Sequence, residues 1–162
     1  MNNKIDLIVS YPNNCDYPLW RQFIHDERKR FNKVIIVITE THQLPDLTSF
    51  LHDVMISDDV VFIKNRDYDA GEDWRNVAIN EGLKYSDGDW VWFTEQDFII
   101  KNDTFWNEVS SAIAGNFDYI FVKDQERMHP CCLFIKRSFL DTLKKDFSAN
   151  PPEYDHFGAI QK

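Results

Sequence analysis

Apolar positions along this chain follow two alternating rhythms. Short runs in which β-branched and aromatic residues stand almost uninterrupted are separated by longer stretches whose apolar residues return at i, i+3, i+4 and i+7, the spacing of one helix face. Ile5 to Ser10 is the first run; a turn-rich Tyr-Pro-Asn-Asn-Cys-Asp follows, and Pro18 then opens a segment with Trp20, Phe23, Ile24 and Phe31 on one helical face. Val34 to Thr39, nearly all β-branched, predicts a buried parallel strand, and Asp46 is placed to cap a helix through Leu47, Phe50, Leu51 and Val54. Val60 to Ile63 predicts a third strand, followed by a polar loop from Lys64 to Gly71 and a helix from Glu72 to about Tyr85 that buries Trp74, Val77, Ala78 and Leu83. Asp87-Gly88 turns the chain into a strand over Trp90 to Thr94. Asp103 then caps a helix with Phe105, Trp106, Val109 and Ile113 inward, Phe117 to Val122 and Cys131 to Ile135 predict two more strands, and Arg137 to Lys144 a short helix. Repeated β-α units with short connections predict an α/β fold: a three-layer α/β/α sandwich on a mainly parallel sheet, with ligands at the C-terminal edge of the strands. The tail, Asp146 to Lys162, carries Asn150-Pro151-Pro152 and stops where another helix begins, as a minimal domain or a shortened chain would.

Composition narrows this picture. With 162 residues, 43% hydrophobic and 15% aromatic, the chain suffices for one domain, 1–162, with a substantial core. A formal charge of −9 and a pI near 4.9 set the molecule against polyanions, so general nucleic-acid binding is not expected. A local phosphate pocket stays open, because a metal ion would reconcile acidic walls with an anionic ligand. Runs such as Val34 to Ile38 fall far short of the ~20 apolar residues of a transmembrane span. The N-terminus, Met-Asn-Asn-Lys-Ile-Asp, lacks the pattern of a secretory signal, and a cytoplasmic location is the expectation. Cys15, Cys131 and Cys132 form neither an even disulfide framework nor paired metal spacing and are read as reduced.

The chemistry gathers at the end of the fourth strand, where Asp-Trp-Val-Trp-Phe-Thr-Glu-Gln-Asp delivers Glu95 and Asp97 together. Strand residues two apart point the same way, so this pair can share a hard cation, Mn²⁺ or Mg²⁺, while Gln96 turns aside. A solvated turn at a strand end has the same composition.

From Gly71 to Phe98 the sequence resembles the central segment of GT-A glycosyltransferases, nucleotide-diphospho-sugar transferases, particularly family 2. In that family an Ala-x-Asn-x-Gly-Leu helix leads through a Gly-Asp turn into a strand ending in Asp-x-Asp. Ala78, Asn80, Gly82 and Leu83 match the helix, Gly88 the turn, and Glu95 and Asp97 the metal motif, with Glu in place of the first Asp. The resemblance implies a GT-A fold and a divalent-metal-dependent transferase acting on a nucleotide-diphosphate sugar, with an undetermined acceptor. Over the rest of the chain it implies that Ser10, Tyr11 and Pro12 begin the grip on the nucleotide, with Tyr11 stacking on the base, and that Glu40 stands near base or ribose. Asn65, Arg66 and Arg75 stand where amides or cations meet a diphosphate, Arg75 foremost, and Asn80 belongs to the same nucleotide-binding set. Glu72 and Asp73 in the first turn of the helix oppose an anion there, which assigns the phosphates to the metal. Asp97, retained as aspartate, is the direct metal ligand, and Glu95 the weaker one, through water or toward ribose hydroxyls. Downstream, His129 to Arg137 looks like the acceptor-side strand, and Glu153-Tyr154-Asp155-His156 stands where inverting members place the general base, which makes Asp155 the residue to deprotonate the acceptor hydroxyl. His129 or His156 is an alternative third metal ligand.

Two other readings remain. A sugar nucleotidyltransferase shares a related sheet and carboxylate-bound Mg²⁺ but usually has a glycine-rich basic loop after the first strand, which Tyr-Pro-Asn-Asn-Cys-Asp is not. An inactive relative or interaction module on the same scaffold would bind nucleotide without turnover.

Overall fold

A computed structural model describes residues 3–11, 22, 26–38, 60–64, 74–95, 100, 104–124 and 127–143. Strands β1 (Ile5–Tyr11), β2 (Lys33–Ile38) and β3 (Val60–Lys64) precede helix α1 (Trp74–Leu83) and strand β4 (Trp90–Glu95). Helix α2 (Thr104–Ala114), strands β5 (Tyr119–Asp124) and β6 (Arg127–Lys136), and helix α3 (Arg137–Leu143) follow. The strands form one sheet in the order β3-β2-β1-β4-β6-β5. β3, β2, β1 and β4 are mutually parallel, and β6 runs antiparallel to both β4 and β5.

The central strands are apolar on both faces because both faces are covered. On one side Leu7, Val9, Val34, Ile36, Trp92 and Phe134 pack with Phe31 and with Trp106 and Val109 of α2. On the other, Ile8, Ile35, Val37, Val91, Phe93, Leu133 and Ile135 meet Ala78 and Ile79 of α1 and Leu140 of α3. That alternation, odd residues to one face and even to the other in β1, makes the expected three-layer α/β/α sandwich. The α2 side is aromatic: Trp92 stacks on Phe134 at 4.9 Å and meets Trp106 edge-on at 5.6 Å.

Strand and helix bounds differ from the sequence reading where local chemistry intervenes. α1 stops at Leu83, after which Lys84, Tyr85 and Ser86 donate to carbonyls three residues back, a tightened last turn. α2 ends through Asn116 at a φ of 59°, the left-handed conformation asparagine tolerates, so β5 starts at Tyr119 and Phe117 stays outside it. β6 is longer than the apolar run predicts, reaching back to Arg127 through Pro130. Its ladder with β5 shifts register between Phe121 and Lys123, opposite the stretch where Pro130 has no N–H to give. The helices expected from Pro18 and from Asp46 lie largely or wholly outside the described residues; of the first, Gln22, Asp26 and Glu27 are helical, a 3-10 turn follows over Arg28–Arg30, and Phe31 lies beyond it rather than on the helix. No helix among the described residues is long and apolar enough to cross a membrane.

A buried carboxylate fastens the N-terminal edge of the sheet. Asp6, fully buried in β1, receives the Ser86 hydroxyl (2.8 Å) and the amides of Asp87 (2.7 Å) and Gly88 (2.6 Å) on Oδ2, and the Asn32 amide group (2.8 Å) on Oδ1. Arg137 donates in turn to the Ser86 hydroxyl. The turn between α1 and β4 is thereby tied to β1, β2 and α3. Lys33 adds an ion pair with Asp87 at 2.7 Å, and its hydrogen bond to that exposed carboxylate is the main reason the Asp87 pKa lies below the ordinary value.

Candidate functional site

The parallel strands β1 to β4 all end on one edge, so their C-terminal residues share a rim. Register fixes who meets whom there: Ser10 is paired with Val37 on one side and Glu95 on the other, and Tyr11 with Ile38. Three of the residues expected to hold the nucleotide or metal, Ser10, Tyr11 and Glu95, are thus brought together by adjacent strand ends. Thr94, beside them in β4, is buried.

Ser10 has a property that its place in the sequence did not announce. It is 5% exposed, and its hydroxyl is buried without a hydrogen-bond partner among the described residues. Leaving a buried hydroxyl unsatisfied costs roughly 1–3 kcal/mol, so such a group at a rim is one that a ligand or a rearranged neighbour can satisfy.

Helix α1 descends from this rim, since it follows β3 and packs on β1 and β2. Arg75 is its second residue and therefore lies toward the rim. Asn80 stands about 1.4 turns further down the axis, is half-buried, and is already engaged within the protein. The helix therefore separates Asn80 from Arg75.

The two glycines of the motif have structural duties. A Cβ on Gly82 would stand 2.6 Å from Ile8 Cγ2, so the absence of a side chain lets α1 lie directly on β1. One on Gly88 would stand 2.9 Å from Asp6 Cγ and from the Lys4 carbonyl oxygen, inside the carboxylate clamp. The Asn-x-Gly-Leu and Gly-Asp signatures thus record how closely helix, turn and first strand approach one another. Asp6 itself was missed in the sequence. Its signal was an acidic residue inside an apolar strand, at a position whose alternation points inward.

Pro12, Glu40, Asn65, Arg66, Asp97, Asp155 and His156 lie outside the described residues, and for Tyr11, Arg75, Glu95 and His129 the backbone alone is described. In the sequence Glu40 is two residues beyond β2, Asn65 directly follows β3, and Asp97 is two residues beyond β4. Among the described residues no three potential ligands converge on a metal position. Glu95 and Asp97, the pair expected from the sequence, would offer oxygen donors alone, a set that suits Mn²⁺ or Mg²⁺.

No protein-family model matches the sequence, and no curated protein matches it. Solved structures do resemble the fold. The mannosyltransferase PcManGT from Pyrobaculum calidifontis, in complex with GDP-Man and Mn²⁺, superposes on 97% of this chain and 50% of its own, with a TM-score of 0.67 at 14% identity. The 2-C-methyl-D-erythritol 4-phosphate cytidylyltransferase from Thermus thermophilus covers 99% of this chain and 84% of its own, with a TM-score of 0.54 at 10% identity. S. aureus TarS 1-349 in complex with UDP covers 78% and 38%, with a TM-score of 0.52 at 14% identity. The chain spans about half the length of the mannosyltransferase. The fold is that of the nucleotide-diphospho-sugar transferases, GT-A type.

Proposed function

We propose that this chain is a nucleotide-sugar-dependent glycosyltransferase of one domain, moving a sugar from a nucleotide-diphosphate donor to an acceptor hydroxyl. The observation that carries the reading is the meeting of Ser10, Tyr11 and Glu95 at one rim of a fold shared with a mannosyltransferase whose structure holds GDP-Man and Mn²⁺. Tyr11 stacks on the nucleotide base, with Pro12 beside it, and Glu40 lies toward base or ribose. Asp97 would hold the divalent ion, with Glu95 completing the pair, and an ion bound there would supply positive charge against the diphosphate leaving group. Asn65 and Arg75 add donors to the phosphate oxygens, Arg75 as the charged one, and Asn80 belongs to the same nucleotide-binding set. Asp155 takes the proton of the acceptor hydroxyl as that oxygen attacks the anomeric carbon.

Thermal unfolding of wild type and Asp97→Ala with UDP-, GDP- and dTDP-sugars, with and without Mn²⁺, tests this, because a ligand bound by the native state alone raises the midpoint by mass action. A Mn²⁺-dependent rise with one donor, lost in Asp97→Ala, supports the reading and identifies the sugar to follow in transfer assays. No shift with any of them favours the inactive scaffold.

One observation favours a nucleotidyltransferase as the second reading: the cytidylyltransferase is matched over 84% of its own length. That enzyme class would take a nucleoside triphosphate and a sugar or polyol phosphate and release pyrophosphate. Pyrophosphate formation from CTP or UTP with a panel of sugar phosphates separates the two readings.

A further inference from the structure

We propose that β5 is a self-pairing edge, through which two copies of this chain join their sheets antiparallel about a two-fold axis at Ile120. The inference concerns the outer side of the sheet, apart from the rim of β1 to β4, and stands independently of the transfer chemistry proposed above.

β5 ends the sheet on one side, and no strand lies beyond it among the described residues. Hydrogen bonding fixes which of its backbone groups are spare. The Asp118 carbonyl accepts the Lys136 amide at 2.8 Å, so Asp118 faces β6, and Ile120, opposite Phe134, faces the same way. Tyr119 and Phe121 therefore turn their N–H and C=O groups outward. The register shift in the β5–β6 ladder puts its surplus residues on β6, between Met128 and Leu133, so β5 keeps its alternation through Phe121. From Tyr119 to Val122 the edge carries neither charge nor proline, the devices that ordinarily keep an edge strand from pairing. Its side chains are apolar and open to solvent: Tyr119 and Phe121 are each 36% exposed, and Phe117, just before the strand, is 58% exposed.

A second β5 is the occupant this edge fits. An axis normal to the sheet at Ile120 sets Tyr119 against Phe121 of the second copy in both halves, so that outward groups meet outward groups and each such pair exchanges both of its N–H···O bonds. Aromatic residues directly opposite one another are favourable cross-strand pairs. Within one copy Tyr119 already stacks on Phe121 at 6.0 Å and meets Phe139 of α3 at 5.9 Å. The axis keeps that face on the same side in both copies, so the seam joins two aromatic clusters, while on the other face Ile120, packed against the α2-side core, meets its own copy. Neighbouring registers fit less well. Moving the axis to Phe121 opposes Asp118 to Asp124 of the second copy, like charges face to face, and moving it to Tyr119 draws in Phe117, which lies outside the strand. β4 and β5 are both antiparallel to β6, so β5 runs parallel to β1–β4; antiparallel pairing of two copies then sends their rims in opposite directions and leaves both open. So short a seam belongs to the small, weak class of specific interfaces, with dissociation on the order of micromolar.

Sedimentation velocity of the full chain over a range of concentrations tests this in wild type, Phe121→Pro, Phe121→Lys and Ile120→Cys. Phe121→Pro removes an outward N–H and no bond to β6, whereas Phe121→Lys keeps the backbone and places a charge on the edge. Expected is a mass that moves from 19.3 kDa to twice that value as concentration rises. Association should weaken about tenfold or more in both Phe121 variants, because the symmetry removes two contacts at once. Oxidised Ile120→Cys should be trapped as a dimer through a disulfide between the two substituted positions, since the pair on the axis is the close, non-hydrogen-bonded kind with Cα atoms about 4.5 Å apart; wild type oxidised in parallel accounts for the native cysteines. Where Phe121→Pro fails to fold, Phe121→Lys, on an exposed side chain, decides. A wild-type mass of one chain at every concentration overturns the proposal and leaves the edge to a different strand. Association undiminished in Phe121→Lys, growth past two chains, or a dimer of Ile120→Cys without the disulfide between the substituted positions overturns it equally.

Discussion

Replacing Gly82 by alanine sets two opposed effects against each other, and the structure decides which wins. In a helix interior alanine is favoured over glycine by about 1 kcal/mol. Here the added Cβ would stand 2.6 Å from Ile8 Cγ2, 3.2 Å from its Cδ1 and 3.4 Å from its Cγ1. Cγ2 is fixed on a β-branched carbon in a residue 1% exposed, so it cannot swing aside as the end of a long side chain would. Overpacking of this kind costs about 1–3 kcal/mol, and because the contact is to a stiff branch the upper half of that range applies. The net expectation is destabilisation by about 1–2 kcal/mol, which in a chain of this size lowers the melting midpoint by roughly 2–8 °C. The control is Ile8→Ala, which removes all three contacting atoms at a cost of about 2–5 kcal/mol. In that background Gly82→Ala has room and a helix preference, and it becomes stabilising. Urea unfolding of the four proteins gives the cycle. A Gly82→Ala that is neutral or stabilising in the wild-type background, or one that keeps its sign after Ile8→Ala, refutes the close-approach account of this glycine.

Asp6→Asn keeps the shape of the buried clamp but leaves one oxygen where two now serve, so either the three donors on Oδ2 or the Asn32 amide group face an NH₂; the expected loss is about 2–4 kcal/mol in urea unfolding, and a loss under ~0.5 kcal/mol, the range of an ordinary surface substitution, would contradict the clamp. Asp87 titrates below its ordinary value of 3.8 because of Lys33; a depressed carboxylate adds stability above its unfolded pKa that disappears as pH falls through the folded one, so Lys33→Met raises the Asp87 pKa, seen in a carboxyl NMR titration, and flattens the acid limb of stability below about pH 4. Trp106→Leu removes an indole that packs edge-on to Trp92 and lies under the Arg30 guanidinium at 5.0 Å, and it costs about 2–4 kcal/mol by loss of packed volume; retention of wild-type stability would show that α2 is not held by this contact.

The sandwich was legible because its strands are buried on both faces, and such strands write themselves as continuous β-branched and aromatic runs that little else produces. α2 was legible for the same kind of reason: Trp106 and Val109 are buried, with Phe105 and Ile113 partly buried against the same core, the face the spacing indicates. The direction of β6 was not legible, because an apolar run such as Cys131 to Ile135 reads the same from either end, and pairing sense is decided by the β5–β6 connection and by where the next helix must start. Nor was the burial of Asp6. A carboxylate in a strand is ordinarily taken for an edge or a turn, and what makes it tolerable here is a set of donors from residues 32 and 86–88, distant in sequence and near only once the sheet is formed.

The candidate site was legible by residue type and not by geometry, and the glycines show why. The signature most easily recognised along the chain joins residues with two different causes. Gly82 and Gly88 answer to the close approach of α1 and of the 86–88 turn to β1, an approach that an inactive scaffold needs as much as an enzyme does. Finding them therefore raises the case for the fold without raising the case for catalysis. The residues free of that structural explanation are those at the rim. Glu95 ends its strand at the rim, and Ser10 beside it holds a buried hydroxyl with no hydrogen-bond partner among the described residues. A fold does not require either choice. Substituting Glu95 and Asp97 with the glycines untouched, and measuring whether Mn²⁺-dependent donor binding is lost, is what separates a transferase from a protein that has merely kept a transferase's sheet.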